Sequence, residues 1–173
     1  MKIILDTNIW VSFLIGKRLH VLGRLLTHPN FLVYTCDELL HEFVSVAQRP
    51  KIQKYISEND VQDTLAIMES FCIHVPTCVA PPHSVRDAKD AFLLALAHTI
   101  HADFLVTGDN DLLVLKEYDG TQIITFAELM CLAYPDELGE AESRMDKLWD
   151  EGKWNDEMNE QVLREHLRTP YHG

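Results

Sequence analysis

The chain lacks a C-x-x-C pair, a set of histidines at metal spacing, an apolar run of membrane length and any surplus of positive charge. Each absence removes a class of protein. Without closely spaced cysteines a zinc knuckle is not expected. Of Cys36, Cys72, Cys78 and Cys131, the first two sit in candidate strands and are expected to be small buried apolar residues. No uninterrupted apolar stretch approaches the ~18 to 20 residues of a membrane span. The N-terminus, MKIILDTNIW, meets an aspartate after three apolar residues, too early for the core of a signal peptide, so a cytoplasmic location is expected. A net charge of −12 argues against holding nucleic acid by bulk attraction. Half of that charge falls after residue 135, where eleven acids stand against five bases.

What is present suits one globular domain. A length of 173 residues allows one full core and is short for two. Apolar segments alternate with amphipathic ones. Residues 2–5, 31–35, 71–75, 103–107 and 122–124 read as strands. Helices are expected over residues 9–15, around Leu19, Leu22, Leu25 and Leu26, after Asp37, after Ser57, over residues 90–100 and from a cap at Thr125 to Ala133. A short helical turn is expected at residues 112–115. Apolar strands alternating with helices predict an α/β fold with a parallel sheet covered on both faces.

The most informative stretch is RDAKDAFLLALAHTIHADFLVTGDNDL, from Arg86 to Leu112. Its helix descends ~16 Å at ~1.5 Å per residue, and its strand climbs back at ~3.3 Å per residue. Asp90 at the helix head and Asp109 past the strand therefore return to one edge. Asp6 follows the first strand, and Glu42 lies about one turn into the helix after the second. In such sheets ligands gather at the carboxyl ends of the strands, so Asp6, Glu42, Asp90 and Asp109 can converge there.

Four close carboxylates cannot all stay ionised without a counter-charge. Oxygen ligands alone favour Mg²⁺ or Mn²⁺ over zinc. One ion, or two ~3.5 to 4 Å apart, can activate water and neutralise the leaving oxygen of a phosphodiester. Asn8, Ser12 and Thr107 are polar groups near the same edge, suited to orienting the ligands. Taken singly, each acid has a plainer role. An aspartate after a strand is commonly a turn former or cap, Glu42 is one glutamate on a helix with Glu38 a turn before it, and Asp87 can cap the helix that Asp90 begins. His98 and His101 read as helix-face and helix-end histidines, and Trp10 as core or dimer contact.

With DTN-x-x-x-S from Asp6 to Ser12, ELLHEF around Glu42, RDAKDAFLLALA around Asp90 and LVTGDNDLL around Asp109, residues 1–133 resemble the PIN-domain family of metal-dependent ribonucleases. Within it the chain is most similar to the toxin components of toxin–antitoxin pairs, the VapC-like ribonucleases. The resemblance implies a three-layer fold with a central five-stranded parallel sheet, a homodimer, an antitoxin protein as partner, and cleavage of single-stranded RNA to 5′-phosphate and 3′-hydroxyl ends. It makes Asp6, Glu42, Asp90 and Asp109 the catalytic metal-binding acids, with Asp111 as an outer or substitute ligand, and Asp87 is expected beside them as a supporting residue.

RNA contacts are expected from Lys17, Arg18, Arg49, Lys51, Arg86 and Lys89, with Arg24 and Lys54 among the remaining bases of the N-terminal half. Two other classes remain beside the nuclease: a non-catalytic PIN-like module that binds RNA or protein, and a phosphatase of small phosphoesters. The second is disfavoured because Asn8 stands where a D-x-D-x-T start has its second aspartate. Residues 1–135 are expected to form the nuclease domain. Residues 136–173 are expected to form an acidic helical extension, with Ala141, Met145, Leu148 and Trp149 on one helix and Met158, Val162 and Leu167 on the next. Packing on the domain or across a dimer is its plainer role, competition with RNA its sharper one.

Overall fold

The computed structural model describes residues 1–76, 78 and 88–135, with backbone alone at 88–90. The expected acidic extension at 136–173 lies outside the described residues. In chain order the elements are β1 (Lys2–Leu5), α1 (Thr7–Ile15), α2 (Leu19–Leu26), β2 (Leu32–Cys36), α3 (Asp37–Ala47), α4 (Glu58–Phe71) and β3 (Ile73–Val75). After them come α5 (Ala88–Ile100), β4 (Phe104–Val106), α6 (Asn110–Leu113), β5 (Glu117–Tyr118), β6 (Thr121–Ile124) and α7 (Phe126–Ala133).

The sheet runs β3-β2-β1-β4-β6-β5. Five strands are parallel, as expected for the fold class, with Ile3 opposite Val33 on one side and Phe104 on the other. Successive strand residues face opposite sides of a sheet. Ile3, Ile4 and Leu5 are all fully buried, so both faces of β1 are covered. Leu105 and Val106 tell the same of β4. Continuous burial of this kind is why these strands read as unbroken apolar runs rather than alternating ones.

The helix starts follow local chemistry. Ser57 and Thr125 cap α4 and α7 through reciprocal capping boxes with Asp60 and Glu128. Asp37, expected as the cap of α3, is its first residue, and Cys36 holds the cap position. Phe71, expected in a strand, closes α4. α5 ends where His101 turns left-handed at φ 50° and the Ala102 N–H reaches back to the Ala97 carbonyl. His98, on the exposed side of α5, pairs with Asp119.

The antiparallel edge strand β5 adds a sixth member to the expected five. It pairs with β6 through a two-residue hairpin at Asp119 and Gly120, with φ of 50° and 82°. Positive φ at both central residues is what a right-twisted hairpin requires, and Asp-Gly supplies it. A Cβ at Gly120 would meet nothing within 4 Å. Gly120→Ala should therefore cost only the backbone strain of a left-handed residue, about 1 to 2 kcal/mol, measured as a lower urea midpoint at unchanged m-value.

Candidate active site

The chain builds outward from β1 through β2 to β3 and then returns to β4 on the other flank of β1. Loops leaving β1 and β4 diverge, and a crevice opens at that reversal of strand order. Asp6 follows β1, and Thr107, Gly108 and Asp109 follow β4. The crevice is thus lined by the residues in which the sequence concentrates its polar groups.

Thr107 is the hub. It is 0% exposed, and its Oγ1 donates to Asp6 Oδ2 at 2.5 Å. The same oxygen accepts from the Asp109 N–H at 3.0 Å and from Asn8 Nδ2 at 3.4 Å. Asn8 Oδ1 in turn accepts from the Gly108 N–H at 3.3 Å. One threonine and one asparagine therefore tie the loop after β1 to the loop after β4 and fix the Asp6 carboxylate between them. Ser12 turns away from this network, its hydroxyl donating to the Asn8 carbonyl one helical turn back at 2.7 Å.

Glu42, midway along α3, reaches the site through Thr7, whose hydroxyl donates to Glu42 Oε2 at 2.7 Å. Thr7 was not among the expected site residues, although it is the middle residue of the D-T-N stretch. Asp109 holds the N-cap of α6, its Oδ1 accepting from the Asp111 N–H at 2.8 Å. Asp111 is exposed on the same turn. Asp90 falls on the first turn of α5, the helix that packs against β1 and β4. Asp87 and Arg86 lie outside the described residues.

Asp6 is only 6% exposed, and its carboxyl is pushed up to about 6. Burial is the main cause. The Thr107 hydrogen bond opposes it, the Glu42 charge adds to it, the Asn8 N–H opposes it, and Asp109 adds to it. Both neighbouring carboxylates are thus close enough to act on Asp6. The three acids are nonetheless not packed as tightly as ligands of one ion. Among the described residues, the one set of three ligand atoms within 4.8 Å of one another is Cys36, Glu38 and Cys78. Glu42 leans on Thr7 and Asp109 on its own helix cap, and these single contacts set their spacing.

The donor set fits a hard divalent cation: oxygen ligands of like charge, one of them buried, on loops fixed by Thr107 and Asn8. Removing the hub hydroxyl tests how much it matters. Thr107→Val should destabilise the protein by about 1 to 3 kcal/mol, because it strips a donor from a buried carboxylate. It should also move the Asp6 titration, followed by carboxyl NMR, further upward.

Four of the expected RNA-binding bases, Lys17, Arg18, Arg49 and Lys51, lie at helix ends remote from Asp6. α1 is a nine-residue helix, about 13 Å long, so Lys17 and Arg18 stand at its far end from Asp6. Lys17 acts on the exposed Asp60 carboxylate instead. Arg49 and Lys51 are exposed beyond the far end of α3. The side chain of Lys89 lies outside the described residues.

The chain shares 16% identity with a solved structure, the VapBC2 complex of Rickettsia felis bound to a DNA fragment from its promoter. The match has a TM-score of 0.47 and covers 73% of this chain and 99% of that one. No curated protein matches the chain. The family model described as PIN domain matches residues 2–111, from the first strand through Asp6, Glu42, Asp90 and Asp109 to Asp111, and on that match the chain belongs to the PIN-domain family.

Proposed function

We propose that the chain is a Mg²⁺- or Mn²⁺-dependent endoribonuclease that hydrolyses single-stranded RNA and serves as the toxin component of a toxin–antitoxin pair. The observation that carries this is Asp6: a buried carboxylate with two further carboxylates acting on it, at the reversal point of a parallel sheet. Folding tolerates such an arrangement at a cost, and a phosphate-directed cation site explains why it is kept. Membership of the PIN-domain family supports the same chemistry.

When bound, a hard divalent cation supplies charge neutralisation for a phosphodiester and lowers the pKa of water. The chain's own residues have separable tasks. Asp6 is ionised above about pH 6 and offers a fixed oxygen. Thr107 holds that carboxylate in one orientation and joins it to the Asp109 loop. Glu42, which accepts from Thr7, and Asp109, which caps α6, add two further carboxylates. Asp90, on the first turn of α5, is assigned as a further ligand and Asp111 as an outer one. A water attacking phosphorus then leaves a 5′-phosphate on one product and a 3′-hydroxyl on the other.

Arg86 and Lys89, beside Asp90 in sequence, suit the phosphates near the cut. Lys17, Arg18, Arg49 and Lys51 suit nucleotides further along the strand. A homodimer and a cytoplasmic setting complete the proposal, with an antitoxin protein and a packed acidic extension at 136–173. The assay is incubation with a single-stranded RNA in Mn²⁺ and, separately, in chelator, with product ends identified. Mn²⁺-dependent cuts bearing 5′-phosphates are expected. RNA that is bound but never cut would instead favour a non-catalytic module.

A further inference from the structure

One cluster of ligand-type side chains stands outside the acidic crevice. β2 ends at Cys36, α3 begins at Asp37, and Cys36 pairs with Val75 at the end of β3. Three residues past Val75 the chain returns Cys78 to the end of β2. The Cys36 and Cys78 sulfurs and a Glu38 carboxylate oxygen all lie within 4.8 Å of one another. Cys36 is buried, Cys78 half-buried and Glu38 exposed, so the group opens to solvent on one side.

Separations within 4.8 Å come close to those of ligands around a single ion. Metal–sulfur bonds of ~2.3 Å and metal–oxygen bonds of ~2.0 to 2.2 Å put tetrahedral ligands a little under 4 Å apart. Shifts of about an ångström close the set. Two sulfurs also reverse the preference found at Asp6, because thiolates select zinc-type ions over magnesium or manganese.

Cys72 provides the contrast within the same chain. Its thiol is pushed up to about 12 by burial alone, the behaviour of a cysteine that serves as a small apolar residue. The Cys36 and Cys78 thiols are also raised, mainly by burial, but each is acted on by the other and by Glu38.

We propose that Cys36, Glu38 and Cys78 form a thiophilic cation site of the zinc type, with three protein ligands and one open position. Binding makes two metal–sulfur bonds and one metal–oxygen bond, and the two thiol protons pass to solvent without any change of oxidation state. The bound ion ties residue 78 to the first turn of α3, the helix that carries Glu42 one turn later. The β1–β2 register, Ile4 opposite Tyr34, carried two residues on sets Cys36 level with Asp6. A soft-ion site and a hard-ligand crevice thereby sit on neighbouring strand ends. The site does not depend on the chain being a nuclease.

Cobalt reports thiolate ligation directly. Reduced full-length protein titrated with Co²⁺ should develop a sulfur-to-cobalt charge-transfer band that saturates at one equivalent and is bleached by Zn²⁺. Cys78→Ser should lose the band, and Glu38→Gln should weaken Co²⁺ binding at least about tenfold, the lower end of what even an outer partner of a metal site is worth. Cys131→Ser and Asp6→Asn should keep it. Cys36→Ser removes a buried side chain and can unfold the protein, so Cys78→Ser, with its circular dichroism unchanged, carries the test. The proposal is overturned by a wild type without the band, by a band that survives in Cys78→Ser, or by one that vanishes in Asp6→Asn. A Cys36–Cys78 disulfide formed under oxidised glutathione, with no Co²⁺ bound by the reduced protein, overturns it as well.

Discussion

Asp6→Asn should make the protein more stable at pH 7.5 in the presence of chelator, by up to about 3 kcal/mol. That figure is the shift of about two units at roughly 1.4 kcal/mol each. The folded carboxyl titrates at about 6 and the unfolded one near 3.8. Between those values the folded state holds more protons than the unfolded one, so stability falls as pH rises through the window. The penalty is absent below the lower value and complete above the upper one. Asparagine keeps an oxygen to accept from Thr107 and carries no charge for Glu42 and Asp109 to repel. Melting curves at pH 7.5 should rise by roughly 6 to 12 °C, taking ~2 to 4 °C per kcal/mol for a chain of this size. The difference should shrink as the pH is lowered and vanish near pH 4. An Asp6→Asn protein less stable than wild type at pH 7.5 would mean that the buried carboxylate is not strained.

The same substitution should destroy activity. Asp6→Asn/Asp109→Asn should lower kcat/KM for RNA cleavage in Mn²⁺ by at least about a thousandfold, the upper end of what one electrostatic stabiliser of a reaction is worth. Stability and activity therefore move in opposite directions at Asp6, as expected of a site held in strain for its chemistry. Lys17→Ala/Arg18→Ala, at the far end of α1, should change cleavage by less than about tenfold, since exposed phosphate contacts are individually weak and screened. Cleavage that persists in the double aspartate variant would come from another site or a contaminating nuclease.

Much of this architecture is legible in the chain because local and global signals agree. β1 and β4 are apolar without a break since both faces are covered, and Ser57 and Thr125 announce their helices through capping boxes. The return of Asp109 to the Asp6 edge follows from matching the rise of a helix to that of a strand. Of the two glutamates one turn apart on α3, Glu42 is the one whose charge acts on Asp6.

Other features depend on contacts that no spacing encodes. Thr107 looks like one polar residue among several until three hydrogen bonds are seen to meet at its hydroxyl. Thr7 is hidden because its partner lies 35 residues away. Cys36 and Cys78 show no motif, since it is strand pairing between β2 and β3 that brings them together. The strand β5 is only two residues long, too short for periodicity, and the readable signal is Asp119-Gly120.

The claim beneath all of this is that acids from separate segments jointly hold a hard cation. Calorimetric titration of Mn²⁺ into wild type and into Asp6→Asn/Asp109→Asn, in one buffer at pH 7.5, addresses it without any RNA. Saturable heat in the wild type, absent from a folded double variant, is the expected result. Equal Mn²⁺ binding by both proteins would contradict it.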